Sequence, residues 1–449
     1  MTHSSFSERD LSVLWHPCTQ MKDHENSPVI AIKRGEGVFL EDFKGNCYLD
    51  AISSWWVNLF GHCNPIITNA LKEQLDTLEH VMMGGFTHEA AVVLSEKLVA
   101  VSPEGLNKCF YSDNGSSAVE IALKMSFQSW RNQGNLKKTK FVSLANSYHG
   151  ETLGALAVSN VALYKQTFAP LLMDVITAPS PDCYYREQGE TWKDYSIRQF
   201  EGMEKILSEQ ADELCAVIIE PLIQCAGNMR MYHPIYLTLL RAACDKYEVH
   251  LIADEVAVGF GRTGTLFACE QGNITPDFLC VAKGLTGGYL PLAATLTTDA
   301  IYQSFYDDYE KLTGFFHSHS YTGNALGCRA GIATLGIFQQ QGIIEKNKQL
   351  AKVMKQATAH FIDHPNVSEV RQTGMVLAIE LVKNKQTREA FPWQERRGLK
   401  IYHYALTQGI LMRPIGNVVY FIPPYVITAE QIQQLADVAW QGIQLAVAN

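Results

Sequence analysis

The stretch VHLIADE, residues 249–255, is an apolar run interrupted only by His250 that ends on two carboxylates. That is how a strand buried on both faces of a parallel sheet reads. Two other runs share the pattern: CAVIIE (215–220) ends on Glu220, and DFLCVAKG (277–284) carries Lys283 at its end. Each is predicted to be a strand whose polar end lies at the edge where open α/β sheets bind ligands. Between CAVIIE and VHLIADE, the segment HPIYLTLLRAACDKY (233–247) places Ile235, Leu239, Ala242 and Ala243 at the spacing of an amphipathic crossover helix.

Outward from this βαβ unit, residues from about 105 to 300 alternate short β-branched runs with helical patterns, so an α/β fold with a largely parallel sheet is expected. A second helix, SSAVEIALKMSFQSW (116–130), repeats apolar residues at Ala118, Ile121, Ala122 and Met125 and starts at the turn Asp113-Asn114-Gly115-Ser116. The segment VIAIKRGEGVFLEDFKGNCYLD reads as hairpins turning at Gly35-Glu36-Gly37 and Lys44-Gly45-Asn46. Beyond about 330, helical patterns flank MVLAIEL (375–381) and VVYFIPP (418–424), as in an α+β unit. The pattern divides the chain into 1–60, a large unit 61–330 and 331–449; that 1–60 and 331–449 are the N- and C-terminal parts of one small domain is an expectation of the family resemblance given below.

Composition narrows the function. The chain is 47% hydrophobic and 18% charged, so it can bury a large core, and its net charge is −9. Apart from Lys137, Lys138 and Lys140 there is no basic cluster, so a nucleic-acid partner is not expected. Eleven cysteines run from Cys18 to Cys328 with no C-x-x-C pair, which argues against a disulfide framework and a zinc site and fits a reducing cytoplasm. The start MTHSSFSERDLSVLW lacks the pattern of a signal peptide, and no apolar run approaches the roughly 18 residues of a membrane helix. A soluble chain acting on small molecules, without metal or membrane, is the expectation.

Asp254 and Lys283 suggest the chemistry. A lysine at a strand end can condense with the aldehyde of pyridoxal phosphate and, once released, carry a proton between substrate and cofactor. A carboxylate beside it can keep the pyridine nitrogen protonated, which makes the ring an electron sink. The bland reading is a turn-capping aspartate and a surface lysine. Against it stand the apolar residues before Lys283 in FLCVAKGLTGG and the glycines after it, which let backbone approach a ligand.

GFGRTG (259–264) matches G-x-G-x-x-G after a strand, but no long amphipathic helix follows to hold a pyrophosphate. A dinucleotide site is therefore set aside, and the glycines are read as a turn that places Arg262. For a phosphate, the turn Asn114-Gly115-Ser116-Ser117 before a helix offers amides, hydroxyls and the positive end of the dipole. Ser320 in HSHSYTGNALG is a second hydroxyl candidate, with Thr322 its substitute; the alternative is an ordinary loop. Tyr148 in NSYHGET is either a stacking face for a cofactor ring or a core tyrosine. Trp55 and Trp56 suit an apolar substrate wall, a core or a subunit interface. Arg413 in LMRPIGNVVYFIPPY is either a carboxylate clamp or a surface arginine.

Taken together, LWHPCTQM (14–21), DAISSWWVNLFGH (50–62), DNGSSAVEIALKM (113–125), SYHGET (147–152), ADEVAVGFGRTG (253–264), the Lys283 segment and LMRPIGNVVYFIPPY (411–425) resemble the class III aminotransferases of fold type I nearly end to end. The resemblance implies a large domain with a mostly parallel seven-stranded sheet, a smaller α+β domain built from both termini, and a homodimer with shared active sites. It implies that Gly115, Ser116, Tyr148, Asp254, Lys283 and Ser320 bind pyridoxal 5'-phosphate, the Ser320 turn coming from the neighbouring subunit. Catalysis would rest on Lys283, Asp254 and Tyr148, and substrate binding on Trp55, Trp56, Tyr148, Arg262, Lys283, Ser318 and Arg413.

Within that family the tryptophan pair, the WHP start and the MRP segment look like the branch that passes an amino group from S-adenosylmethionine to 8-amino-7-oxononanoate in biotin biosynthesis. Ala257 fits that branch, since several sister enzymes have glutamine there. Cys18 departs from it, because some members carry tyrosine at that place, and Ser320 stands where many have threonine. The rivals are lysine as donor, another class III substrate such as ornithine or an ω-amino acid, a non-catalytic binding protein of the same fold, and lastly a NAD-dependent oxidoreductase.

Overall fold

A computed structural model of the chain describes residues 6–448. Near the N-terminus, β1 (Ile32–Glu36), β2 (Phe39–Asp42) and β3 (Cys47–Asp50) form an antiparallel meander through the two predicted turns. The large sheet follows, built from β4 (Leu106–Ser112), β5 (Lys140–Leu144), β6 (Ile176–Ala178) and β7 (Leu214–Ile219). After a short hairpin, β8 (Ile223–Gln224) with β9 (Arg230–Met231), it is completed by β10 (His250–Asp254), β11 (Phe278–Val281) and β12 (Ala293–Thr298). Its order is β4-β12-β11-β10-β7-β5-β6, and only β12 runs antiparallel to its neighbours.

Helices cover both faces of this sheet, which is why its central strands are apolar without alternation. On one face, helix 115–132 sets Ala118, Ile121, Ala122 and Met125 into a cluster with Ile218, Ile252, Phe278 and Cys280. On the other, Val217, Ile219, Leu251, Ala253, Leu279 and Val281 join the larger core with helices Trp192–Gln210 and Ile235–Lys246. The predicted face of the last helix is corrected. Its buried stripe is Tyr236, Leu237, Leu240, Ala243 and Cys244, while Leu239 is half-buried and Ala242 exposed. Tyr236 turns the stripe, because its ring packs edge-on against Phe200 and Tyr232 at 5.3 and 5.6 Å.

Downstream, β13 (Val367–Thr373), β14 (Val376–Asn384) and β15 (Glu389–Ala390) are joined, after β16 (Ile410–Leu411), by β17 (Val418–Phe421), which pairs with β14. β16 itself leaves this sheet and pairs in parallel with β3, Leu411 opposite Asp50. The two ends of the chain thus share one small sheet. The closing helix, Ala429–Val447, starts on a capping box between Thr428 and Gln431 and buries Ile432, Leu435, Ala439 and Ile443. Among the described residues no helix is long and apolar enough to cross a membrane.

Candidate active site

Strand register gathers the polar ends. Ile219 lies opposite Ala253, and Asp254 opposite Cys280, so Glu220, Asp254 and Lys283 emerge on the same edge of the large sheet. All three line one cavity of about 540 Å³, together with Trp56, Gly115, Ser116, Tyr148 and His149. Asp254 is buried, and its carboxylate is held from both sides: Oδ1 accepts from the Val256 amide at 3.0 Å, and Oδ2 is 2.8 Å from His149 Nδ1. Lys283 follows β11 in a left-handed conformation, φ 44°, an unfavourable backbone for a lysine of the kind that collects at functional sites. Its Nζ stands 4.7 Å over the Trp56 ring. Burial lowers its pKa below the ordinary lysine value, against the opposing pull of Cys225, Asp254 and Glu220.

The anion cradle is the start of helix 115–132. Asn114 caps it, its Oδ1 accepting from the Ser117 amide, and the first amides of a helix have no partner within it. A Cβ on Gly115 would lie 2.6 Å from Val256 Cγ1, so only glycine lets this turn close on the strand carrying Asp254. Ser116 Oγ accepts from the Glu151 amide at 3.1 Å. Tyr148 flanks the cradle; its amide donates to Glu220 Oε1 at 2.9 Å and its hydroxyl to Glu151 Oε1 at 2.9 Å. Burial, reinforced by Glu151, pushes its pKa up, so it remains a neutral phenol.

The mouth of the cavity is assembled from the chain ends. Because β3 and β16 run in parallel, the segments that follow them leave in the same direction. Arg413 is thereby set over the Trp55 ring at 4.3 Å. Trp55 is 40% exposed, whereas Trp56 is buried and donates to Tyr420 Oη at 3.2 Å. Cys18 Sγ lies 3.9 Å from Glu151 Oε1; partial burial and this carboxylate raise its pKa, outweighing Arg413.

Not every expected residue lines the cavity: Trp55 and Arg413 stand outside its lining, beside Trp56. Arg262 is buried, and its Nη1 and Nη2 donate to backbone carbonyls: Pro423 at 2.9 Å, Asn58 at 3.1 Å and Trp56 at 3.3 Å. It braces the tryptophan wall from behind instead of facing the cavity. Ser318 and Ser320 are exposed and away from this chain's cavity; the Ser320 carbonyl meets His80 Nε2 at 2.8 Å. Thr322 bonds within its own turn, to His319.

Three residues of the site carry no sign of their role in the sequence alone. His149 follows Tyr148 in SYHGET, but nothing local says that it reaches Asp254. Glu220 was seen as a strand end without a task. Here it takes the amides of Tyr148 and Cys225, and burial, together with Asp254, lifts its pKa well above the carboxylate range. Glu151, in the same motif as His149, became visible only with Tyr148 and Cys18 placed around it.

The family model for aminotransferase class-III matches residues 20–441. The chain belongs to the class III aminotransferases. The adenosylmethionine-8-amino-7-oxononanoate aminotransferase of Helicobacter pylori is 47% identical over 432 residues, covering 95% of this chain and 94% of that protein. Among solved structures, the adenosylmethionine-8-amino-7-oxononanoate aminotransferase from Methanocaldococcus jannaschii superimposes with a TM-score of 0.94 at 39% identity, covering 98% of this chain and 99% of that one. The omega transaminase from Pseudomonas jessenii in complex with PMP gives 0.94 at 27% identity, covering 99% and 98%.

Membership of the class III aminotransferases implies pyridoxal phosphate, and the residues present fit it. A helix start offers free amides for a phosphate, an amine destabilised as ammonium faces the cavity, and a carboxylate with two partners of its own stands at the same sheet edge.

Proposed function

We propose that the chain transfers an amino group from S-adenosylmethionine to 8-amino-7-oxononanoate, giving 7,8-diaminononanoate in biotin biosynthesis, with pyridoxal 5'-phosphate as cofactor. The observation that carries the cofactor chemistry is Lys283 and the Asp254–His149 pair on one sheet edge, opposite the helix start at Gly115. The substrate reading rests on the names of the similar proteins and on Arg413, a cation stacked on Trp55 at the cavity mouth.

When bound, the cofactor supplies an electron sink for the carbon that exchanges its amino group. Lys283 would hold the cofactor's aldehyde carbon and, once freed, move the proton at the substrate carbon, burial lowering its affinity for protons in the direction a base requires. Asp254 would keep the ring nitrogen protonated, and His149 orients Asp254 through Oδ2. Tyr148 would pack on the ring, and Gly115 and Ser116 would hold the phosphate. Arg413 would take the carboxylate of the keto substrate, while Trp55 and Trp56 line its chain and keep water out. Arg262 would act on substrate only through the wall it braces.

Glu151 gives the mouth a negative end, which favours an amino donor with a cation of its own. Adenosylmethionine has a sulfonium and lysine an ammonium, so lysine is the second reading. Incubating the pyridoxal form with each donor and following its conversion to the pyridoxamine form decides between them: response to adenosylmethionine is expected, and response to lysine alone would overturn the assignment.

A homodimer is part of this proposal. Met82, Phe86, Phe316 and Tyr321 are all more than half exposed on two loops that touch through His80 and Ser320. Covering that surface with a second copy would carry Ser318 and Ser320 toward the partner's cavity. All eleven cysteines are free, which suits a cytoplasmic enzyme.

A further inference from the structure

Behind the cofactor floor lies a buried charge network that no catalytic role requires. Arg371, on β13, is 2% exposed. Its Nε donates to the Met229 carbonyl at 2.8 Å and its Nη2 to the Asn228 carbonyl at 2.6 Å. The same guanidinium lies 3.3 Å from Glu369 Oε2, and 2.9 Å from Glu380 Oε2, the latter close enough for an ion pair though not aligned for a hydrogen bond. Arg230 meets Glu380 Oε1 at 3.1 Å from the other side.

The loop that Arg371 grips is strained. Asn228 and Met229 are consecutive non-glycine residues with φ of 68° and 53°, a conformation that persists only where surroundings over-determine it. A fork of two donors on their two carbonyls is such a determinant. The opposite side of the loop is tied to the site. Asn146 Nδ2 donates to the Gly227 carbonyl at 2.7 Å, Gln224 Nε2 to the Ala145 carbonyl at 2.8 Å, and the Cys225 amide to Glu220 Oε2 at 3.0 Å. A Cβ on Gly227 would sit 2.3 Å from the Asn146 carbonyl oxygen, so loop and segment are in direct contact. Asn146 is two residues before Tyr148, and Glu220 takes the Tyr148 amide.

We infer that Arg371 is a positioning residue: by holding the Asn228–Met229 turn it sets the 145–149 segment, and so the tilt of Tyr148 against the cofactor ring and the approach of His149 to Asp254. The inference rests on the cofactor reading given above. It makes the small β13–β14 sheet a support of the cofactor floor as well as of the substrate mouth.

The test uses two variants of the full-length holoenzyme. Arg371→Lys keeps a cation beside Glu369 and Glu380 but cannot fork onto two carbonyls. Asn146→Gly tolerates the φ of 64° at that position and removes only the amide link to Gly227. Cofactor loss on dialysis, followed by visible absorption, is expected to accelerate about tenfold in Arg371→Lys and a few-fold in Asn146→Gly. The visible circular dichroism per bound cofactor should change in both. A purely structural role would lower the melting temperature and leave that circular dichroism as in wild type. Wild-type retention and circular dichroism in Arg371→Lys, or in Asn146→Gly should Arg371→Lys not fold, would overturn the inference alone. Wild type lacking Lys283-dependent visible absorption would instead overturn the cofactor reading, and the inference with it.

Discussion

The floor and the mouth of the cavity are built on different terms. At the floor, Lys283, Asp254, His149 and Glu220 are set by strand register and by hydrogen bonds to buried backbone, so their geometry follows from the rigid core. At the mouth, Trp55, Arg413, Cys18 and Glu151 come from four distant segments, and the contacts among them are a stacking interaction and a long thiol–carboxylate contact. On the proposed reading the difference separates chemistry from choice: the floor would serve amino group transfer and the mouth would select the substrate, with Glu151 linking the two through Tyr148 and Ser116.

That contrast can be broken at either end. The largest effect is expected from Lys283→Ala, which should abolish the visible absorption of lysine-bound cofactor and lower turnover by at least about 10³-fold. Wild-type absorption in that variant would remove Lys283 from its role. Asp254→Asn comes next; losing a charge-assisted partner for the ring nitrogen should cost about 2–3 kcal/mol in kcat/KM for both half-reactions, and an effect on one half-reaction only would place Asp254 at the substrate instead. Arg413→Ala should weaken the keto-acid half-reaction by about 2 kcal/mol while cofactor spectrum and donor half-reaction stay as in wild type. If both halves fell together, floor and mouth would not be separable.

A smaller effect concerns stability. Burial lowers the Lys283 pKa, so the folded chain binds that proton more weakly than the unfolded chain does. The penalty is fully present below the folded value and vanishes as pH rises past the unfolded value of about 10.4. Lys283→Met should therefore stabilise the cofactor-free protein at neutral pH by on the order of 1 kcal/mol, the gain shrinking toward high pH. Urea unfolding at two pH values measures it, and a pH-independent gain would point to packing. The smallest change is expected from Cys18→Ser, less than about 0.5 kcal/mol in stability, with the cofactor spectrum unchanged; a lost spectrum would place Cys18 in the floor.

The floor was the more legible part in sequence. VHLIADE and DFLCVAKG show their burial and their polar ends in consecutive residues, and the cap at Asn114 is a local signal. The mouth was legible only as isolated tryptophans and an arginine, because the β3–β16 pairing joins residues some 360 positions apart and leaves no periodicity to read. Arg262 was hard to place for a related reason: its motif marks a turn, but nothing local shows that its Nη1 and Nη2 turn to three backbone carbonyls. The crossover helix was found while its face was misjudged, since an aromatic ring with a polar tip, Tyr236, belongs to the buried stripe.

By itself, then, the sequence determined that buried strands lead into Glu220, Asp254 and Lys283 and that helices shield both faces, because burial and capping write themselves into neighbouring residues. Only the tertiary structure decided that His149 holds Asp254, that Arg413 covers Trp55, and that Arg371 grips the loop beneath Tyr148. Those contacts depend on strand order and register, which long-range packing selects and no short stretch of chain encodes.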